Sequence, residues 1–118
     1  MAEDKNNETL AQLLGGTLIG SARVLGVEVR LRTLTAKETR DVLTECQTIA
    51  DAPLRVDQEI FSTLARSLVQ VGGNDMPDSI PERLKLIESW RQGVIDKLAV
   101  AYRELVEKER NLIDELKN

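Results

Sequence analysis

The chain has no histidine, one cysteine (Cys46), three prolines and only three aromatic residues, Phe61, Trp90 and Tyr102, in 118 positions. Each scarcity excludes a class of chemistry. A single cysteine cannot close an intrachain disulfide, which suits a reducing compartment. Without histidine and with one thiol, the common zinc sites and the Ser-His and Cys-His nucleophilic pairs cannot be assembled. Cys46 falls on the apolar stripe of an expected helix and reads as a small buried hydrophobe. No apolar run reaches the roughly 18 residues of a membrane-spanning helix. The opening residues, MAEDKNNETLAQLLGG, lack the basic-then-apolar order of a secretory signal. With so few aromatic rings, the core must be built from Leu, Val, Ile and Ala.

What is present is an even mixture of charge. Sixteen basic and twenty acidic side chains give a formal net charge of −4. They are spread along the chain, whereas proteins that hold a phosphate backbone cluster their cations on one face, so nucleic acid is not an expected partner. Paired carboxylates can catalyse hydrolysis. Here they lie among Lys and Arg, as at Glu104 and Lys108, and read as solvated helix faces. Gly15-Gly16 and Gly72-Gly73 lack the context of a phosphate loop and read as helix ends. Asn74, Asp75 and Asp78 lack calcium-loop spacing. No catalytic residue, cofactor or metal site is expected, and the chain does not read as an enzyme.

The pattern predicts a mostly α protein with a small N-terminal β-hairpin (α+β): a helical domain with a long C-terminal helix. Residues 1–16 read as a flexible or short-helical arm, and 17–118 as a single domain. Alternation over Val27–Thr33, with Leu25-Gly26 as a tight turn, predicts a hairpin over about 21–34. Thr35-Ala36-Lys37-Glu38 then matches a capping box, with Leu34 as the outer half of a hydrophobic staple. A helix over about 36–50 follows, burying Val42, Leu43, Cys46, Ile49 and Ala50. Asp51-Ala52-Pro53 interrupts it, and apolar spacing predicts a helix over 54–71 ended by Gly72-Gly73. Ser79-Ile80-Pro81-Glu82 opens a short helix over 80–88, and Ser89-Trp90-Arg91-Gln92 reads as a third box opening a helix over 90–116.

That last helix carries a seam. Ile95, Leu98, Tyr102, Leu105, Glu109, Leu112 and Leu116 are spaced 3, 4, 3, 4, 3, 4, a heptad pattern broken once, at Glu109. At 1.5 Å per residue the helix runs roughly 40 Å, more than a domain of this size can cover. Two readings are open: a core helix whose far end frays, or an apolar stripe that meets another chain. The second makes Tyr102, Leu105, Leu112, Ile113 and Leu116 partner-binding residues. Arg30 and Arg32 share one strand face with Glu28. That face is either solvated and edge-protecting or a polar docking rim for a partner strand or helix.

The segment VEVRLRTLTAKETRDVL (Val27 to Leu43) resembles small tail and baseplate assembly chaperones of tailed bacteriophages. In that family a strand of alternating valines and arginines runs into an Arg-x-Leu-Thr-like junction and a helix; here the junction residues are Arg32, Leu34 and Thr35, followed by Ala36 and Glu38. The likeness extends through TLARSLVQVGGND (Thr63 to Asp75), then a short and a long helix, over roughly residues 22 to 106. It implies a small, non-catalytic, mostly helical protein of the host cytoplasm. Such a protein binds the tape-measure, tail-tube or baseplate components and keeps them competent for virion assembly. The acidic extension Val106–Asn118 runs past the usual end, and the N-terminal arm has no counterpart. Both leave open a structural or adaptor subunit retained in the tail or baseplate, oligomerising through the long helix.

Overall fold

The computed structural model describes residues 18–117, so the expected arm over 1–16 lies outside the described residues. The elements run β1 (Ile19–Val24), β2 (Val27–Arg32), α1 (Ala36–Cys46), α2 (Ala52–Ser67), β3 (Leu68–Val71), β4 (Asn74–Asp75), α3 (Ile80–Glu88) and α4 (Gln92–Lys117). The α+β class, the hairpin and the long last helix are those the pattern predicts.

β1 and β2 pair from Ile19↔Arg32 to Val24↔Val27. Their two-residue loop puts Leu25 and Gly26 at φ 52° and 80°, the left-handed pair of a type I′ turn. Leucine in that conformation costs ~1–2 kcal/mol, and Leu25 is 68% exposed, so little packing offsets the strain. Leu25→Asn, which suits the turn, should therefore raise stability by about 1 kcal/mol, read as a higher urea midpoint with unchanged slope.

The hairpin is not left alone. β2 pairs on its other side with β3, through Val29↔Val71 and Leu31↔Leu68, with an irregularity between Arg30 and Leu31. β4 completes a four-stranded antiparallel sheet in the order β1-β2-β3-β4. This corrects the helix expected over 54–71, which ends at Ser67. At Leu68 the backbone turns extended (ψ 124°). The Ser67 hydroxyl donates to the Arg32 carbonyl at 2.6 Å, tying the switch to β2. Val69 and Val71 are β-branched and favour the strand that β2 needs as a partner. Gly72 and Gly73, at φ 61° and 83°, form the β3–β4 turn and are not a helix cap.

Local capping sets the helix starts. Thr35 and Glu38 form the reciprocal box. Asp51 Oδ1 accepts the Leu54 N–H at 3.0 Å, and Ser79 Oγ accepts the Glu82 N–H at 3.2 Å. The box expected at Ser89 does not form, because the Ser89 hydroxyl donates back to the Leu86 carbonyl and closes α3; α4 begins at Gln92. α1 ends at Cys46, short of the expected Ala50. Leu43 is 51% exposed and Ala50 is exposed, since only the Val42 and Cys46 side of α1 meets α2.

The helices cover one face of the sheet. Val29, Leu31, Leu64, Leu68, Ile87, Ile95 and Leu98 form the dry centre between them. Arg83 on α3 binds the chain where α2 becomes β3, donating to the carbonyls of Pro77, Ala65 and Leu68. Arg66, buried on α2, pairs with Glu45 of α1 and also donates to the Ser62 carbonyl. The body measures 47 × 33 × 23 Å with a radius of gyration of 15.3 Å. A compact chain of ~100 residues has roughly 13 Å, and the excess reflects the length of α4.

Candidate functional interaction surfaces

The residues singled out as partner-binding fall into three settings. Arg30 lies exposed on the outer face of the sheet, beside Ser21, Glu28 and Gln70. That is the solvated polar face an antiparallel sheet presents when helices cover its other side.

Arg32 is engaged within the chain. Its guanidinium forms a two-pronged pair with Glu38, at 2.8 Å and 2.5 Å, and also donates to the Thr33 carbonyl. Glu38 Oε1 in turn accepts the Thr35 N–H at 3.1 Å, while Thr35 Oγ1 accepts the Glu38 N–H at 3.2 Å. The last residue of β2 is thus locked to the first turn of α1 through one carboxylate. The Arg32 hydrogen bonds, with further help from Thr35, hold the Glu38 carboxyl down to about 2 from an ordinary 4.5. Glu38 likewise raises the Arg32 pKa. Tyr102 stands against the same junction: the Leu34 backbone N–H meets its phenol oxygen, and burial, with the nearby Glu109, pushes its pKa up. The docking rim drawn through Arg32 is therefore an internal latch in this structure.

The seam on α4 divides. Ile95, Leu98 and Leu105 are buried in the core, and Tyr102 packs against it. Leu105 lies so close to β1 that a Cβ at Gly20 would stand 2.7 Å from its Cδ1, and any larger residue there would displace the leucine side chain. Leu105 is therefore a core residue, a correction to its place in an exposed stripe. Leu112 and Leu116 are half-buried and Ile113 is 40% exposed, and none of the three belongs to the core among the described residues. The far end of α4 is the part of the seam left outside it.

An apolar recess that the sequence reading did not single out lies elsewhere among the described residues. It is a groove of about 480 Å³ between α2 and α4, lined by Val56 and Ile60 on the one and by Ala99, Val100 and Tyr102 on the other. Val56 is 53% exposed and Val100 43%. The signal lay in the second apolar row of α2, where Val56 and Ile60 sit beside the core stripe. A helix with apolar residues on more than one stripe has more apolar surface than one neighbour covers. A second apolar recess of about 400 Å³ lies at the hairpin tip, between Leu25, Val27, Trp90 and Val94.

Among the described residues no three His, Cys, Asp or Glu side chains are grouped to hold a metal ion. No helix there is long and apolar enough to cross a membrane. Cys46 is fully buried, its Sγ 4.0 Å from Ser62 Oγ. Comparison with known proteins finds no matching family model, no matching curated sequence and no matching solved structure.

Proposed function

We propose that the chain is a tail assembly chaperone of a tailed bacteriophage, a non-catalytic protein of the host cytoplasm. It binds the tape-measure protein or another tail-tube or baseplate component and keeps it competent for assembly. The observation that carries this reading is the open apolar groove between α2 and α4. A chaperone for a long helical client needs apolar surface that is held open on a rigid frame and ringed by charge. Val56 and Val100 supply that surface, and Glu59, Asp96 and Arg103 line it with charge of both signs. The junction from Val27 to Leu43, which carries the likeness to such chaperones, forms a rigid latch between sheet and helix on the same side of α4 as Tyr102.

One observation favours a second reading, an adaptor subunit retained in the tail or baseplate. The last turns of α4 extend beyond the core with Leu112, Ile113 and Leu116 on them, and a second copy or a neighbouring virion protein could cover them. Coexpression with a tape-measure protein separates a chaperone from a bystander: the chain should raise the client's soluble fraction and co-purify with it.

A further inference from the structure

We infer that the groove between α2 and α4 receives an amphipathic helix with basic flanks, supplied by the client chain. This rests on the chaperone reading and gives its partner a chemistry. On α2 the wall is Val56, Ile60 and Thr63, spaced i, i+4, i+7. On α4 the corresponding wall runs from Asp96 through Ala99 and Val100 to Arg103, which is again two turns, or about 10 Å. Each wall thus offers two turns of helix surface, with small and aliphatic side chains beside charged ones. The body that seats ridges into such a furrow is a third helix with bulky aliphatic residues at i, i+3 or i+4, and i+7. An extended strand would find no free backbone edge between two helices.

Charge sets the rest of the choice. The groove is lined by two carboxylates, Glu59 and Asp96, against one guanidinium, Arg103. The chain as a whole carries −4. An occupant with Lys or Arg beside its apolar stripe gains from that rim, and one flanked by Glu meets like charge. A second copy of this chain brings net negative charge of its own and fits the rim less well.

The experiment uses the full isotopically labelled chain and three synthetic peptides of about 14 residues, some four helical turns. One carries a Leu/Ala amphipathic repeat flanked by Lys, one the same repeat flanked by Glu, and one the Lys peptide's composition scrambled. The Lys-flanked peptide should shift the amide signals of Val56, Ile60, Ala99 and Val100 saturably. The double variant Val56→Glu with Val100→Glu should keep a dispersed spectrum and lose at least about tenfold in affinity. The Glu-flanked peptide should bind about tenfold more weakly than the Lys-flanked one.

Equal binding of the scrambled peptide would reduce the effect to net charge and overturn the inference. So would equal or tighter binding of the Glu-flanked peptide, shifts centred elsewhere, or no saturable shift. Groove signals that move with chain concentration alone would assign the groove to a second copy, and that too would overturn it. None of the peptides derives from a phage, so this test fails independently of coexpression. A soluble client with a silent groove keeps the chaperone and moves its binding surface; an occupied groove with an insoluble client keeps the groove and removes the tail protein as its partner.

Discussion

Replacing Glu38 with alanine should lower the stability of the chain by roughly 2–3 kcal/mol. The substitution removes half of the α1 capping box, worth about 1 kcal/mol. It also removes both carboxylate oxygens that hold Arg32. Hydrogen bonds to a charged partner contribute about 1.5–3 kcal/mol, and the guanidinium would be left half-buried without its counter-charge. The Arg32 and Glu38 side chains each retain 23% exposure, so water recovers part of the loss and the total stays below the ~3–5 kcal/mol of breaking a fully buried pair. The same latch sets a pH dependence. The folded pKa of Glu38, about 2, lies below its ordinary 4.5. Its contribution is therefore complete above that ordinary value and is lost as pH falls through it towards 2. Urea midpoints should drop more steeply for the natural chain than for Glu38→Gln between about pH 5 and about pH 3. Parallel curves would show that the carboxylate contributes nothing specific.

Leu105→Ala should cost about 3 kcal/mol, whereas Leu112→Glu with Leu116→Glu should cost less than about 1 kcal/mol. All three positions belong to one heptad seam, and the structure distinguishes them by what they touch. Leu105 is 7% exposed and lies on Gly20 of β1. Truncation there opens a cavity between strand and helix that the rigid sheet cannot close. The distal leucines are half-buried outside the core, where a carboxylate can reach water. Thermal melts should show a drop of more than about 10 °C for the first variant and a few degrees at most for the second. A drop as large for the distal pair would make the whole of α4 an intrachain helix and remove the observation behind the retained-subunit reading.

Much of this architecture was legible because its signals are local. The hairpin follows from alternation and a turn, and the start of α1 from Thr35 and Glu38, which need nothing beyond four consecutive residues. The end of α2 was not legible. Leu68 and Val71 continue the apolar spacing of Leu64, and Gly72-Gly73 suits a helix stop as well as a hairpin turn. The choice of strand is made by β2, forty residues earlier, which lacks a second partner until β3 supplies one; a lone hairpin's marginal stability was the available clue. Ser89 misled for a related reason, since the same hydroxyl can cap the helix behind it or the one ahead, and here it turns to Leu86. Among the expected partner-binding residues, Arg32 and Leu105 proved to be internal. An ion pair six residues apart and a contact with a glycine eighty-five residues away leave no periodic trace. The groove was half-visible as the second apolar row of α2, but its other wall comes from α4 and becomes adjacent only on folding.

We propose that this chain keeps a helical client in solution through the groove between α2 and α4. The most direct measurement is the soluble fraction of a tape-measure protein coexpressed with the natural chain or with Val56→Glu and Val100→Glu. The client should be soluble and co-purify with the natural chain, and should aggregate with the folded variant. A client equally soluble with both chains, or insoluble with both, would contradict it.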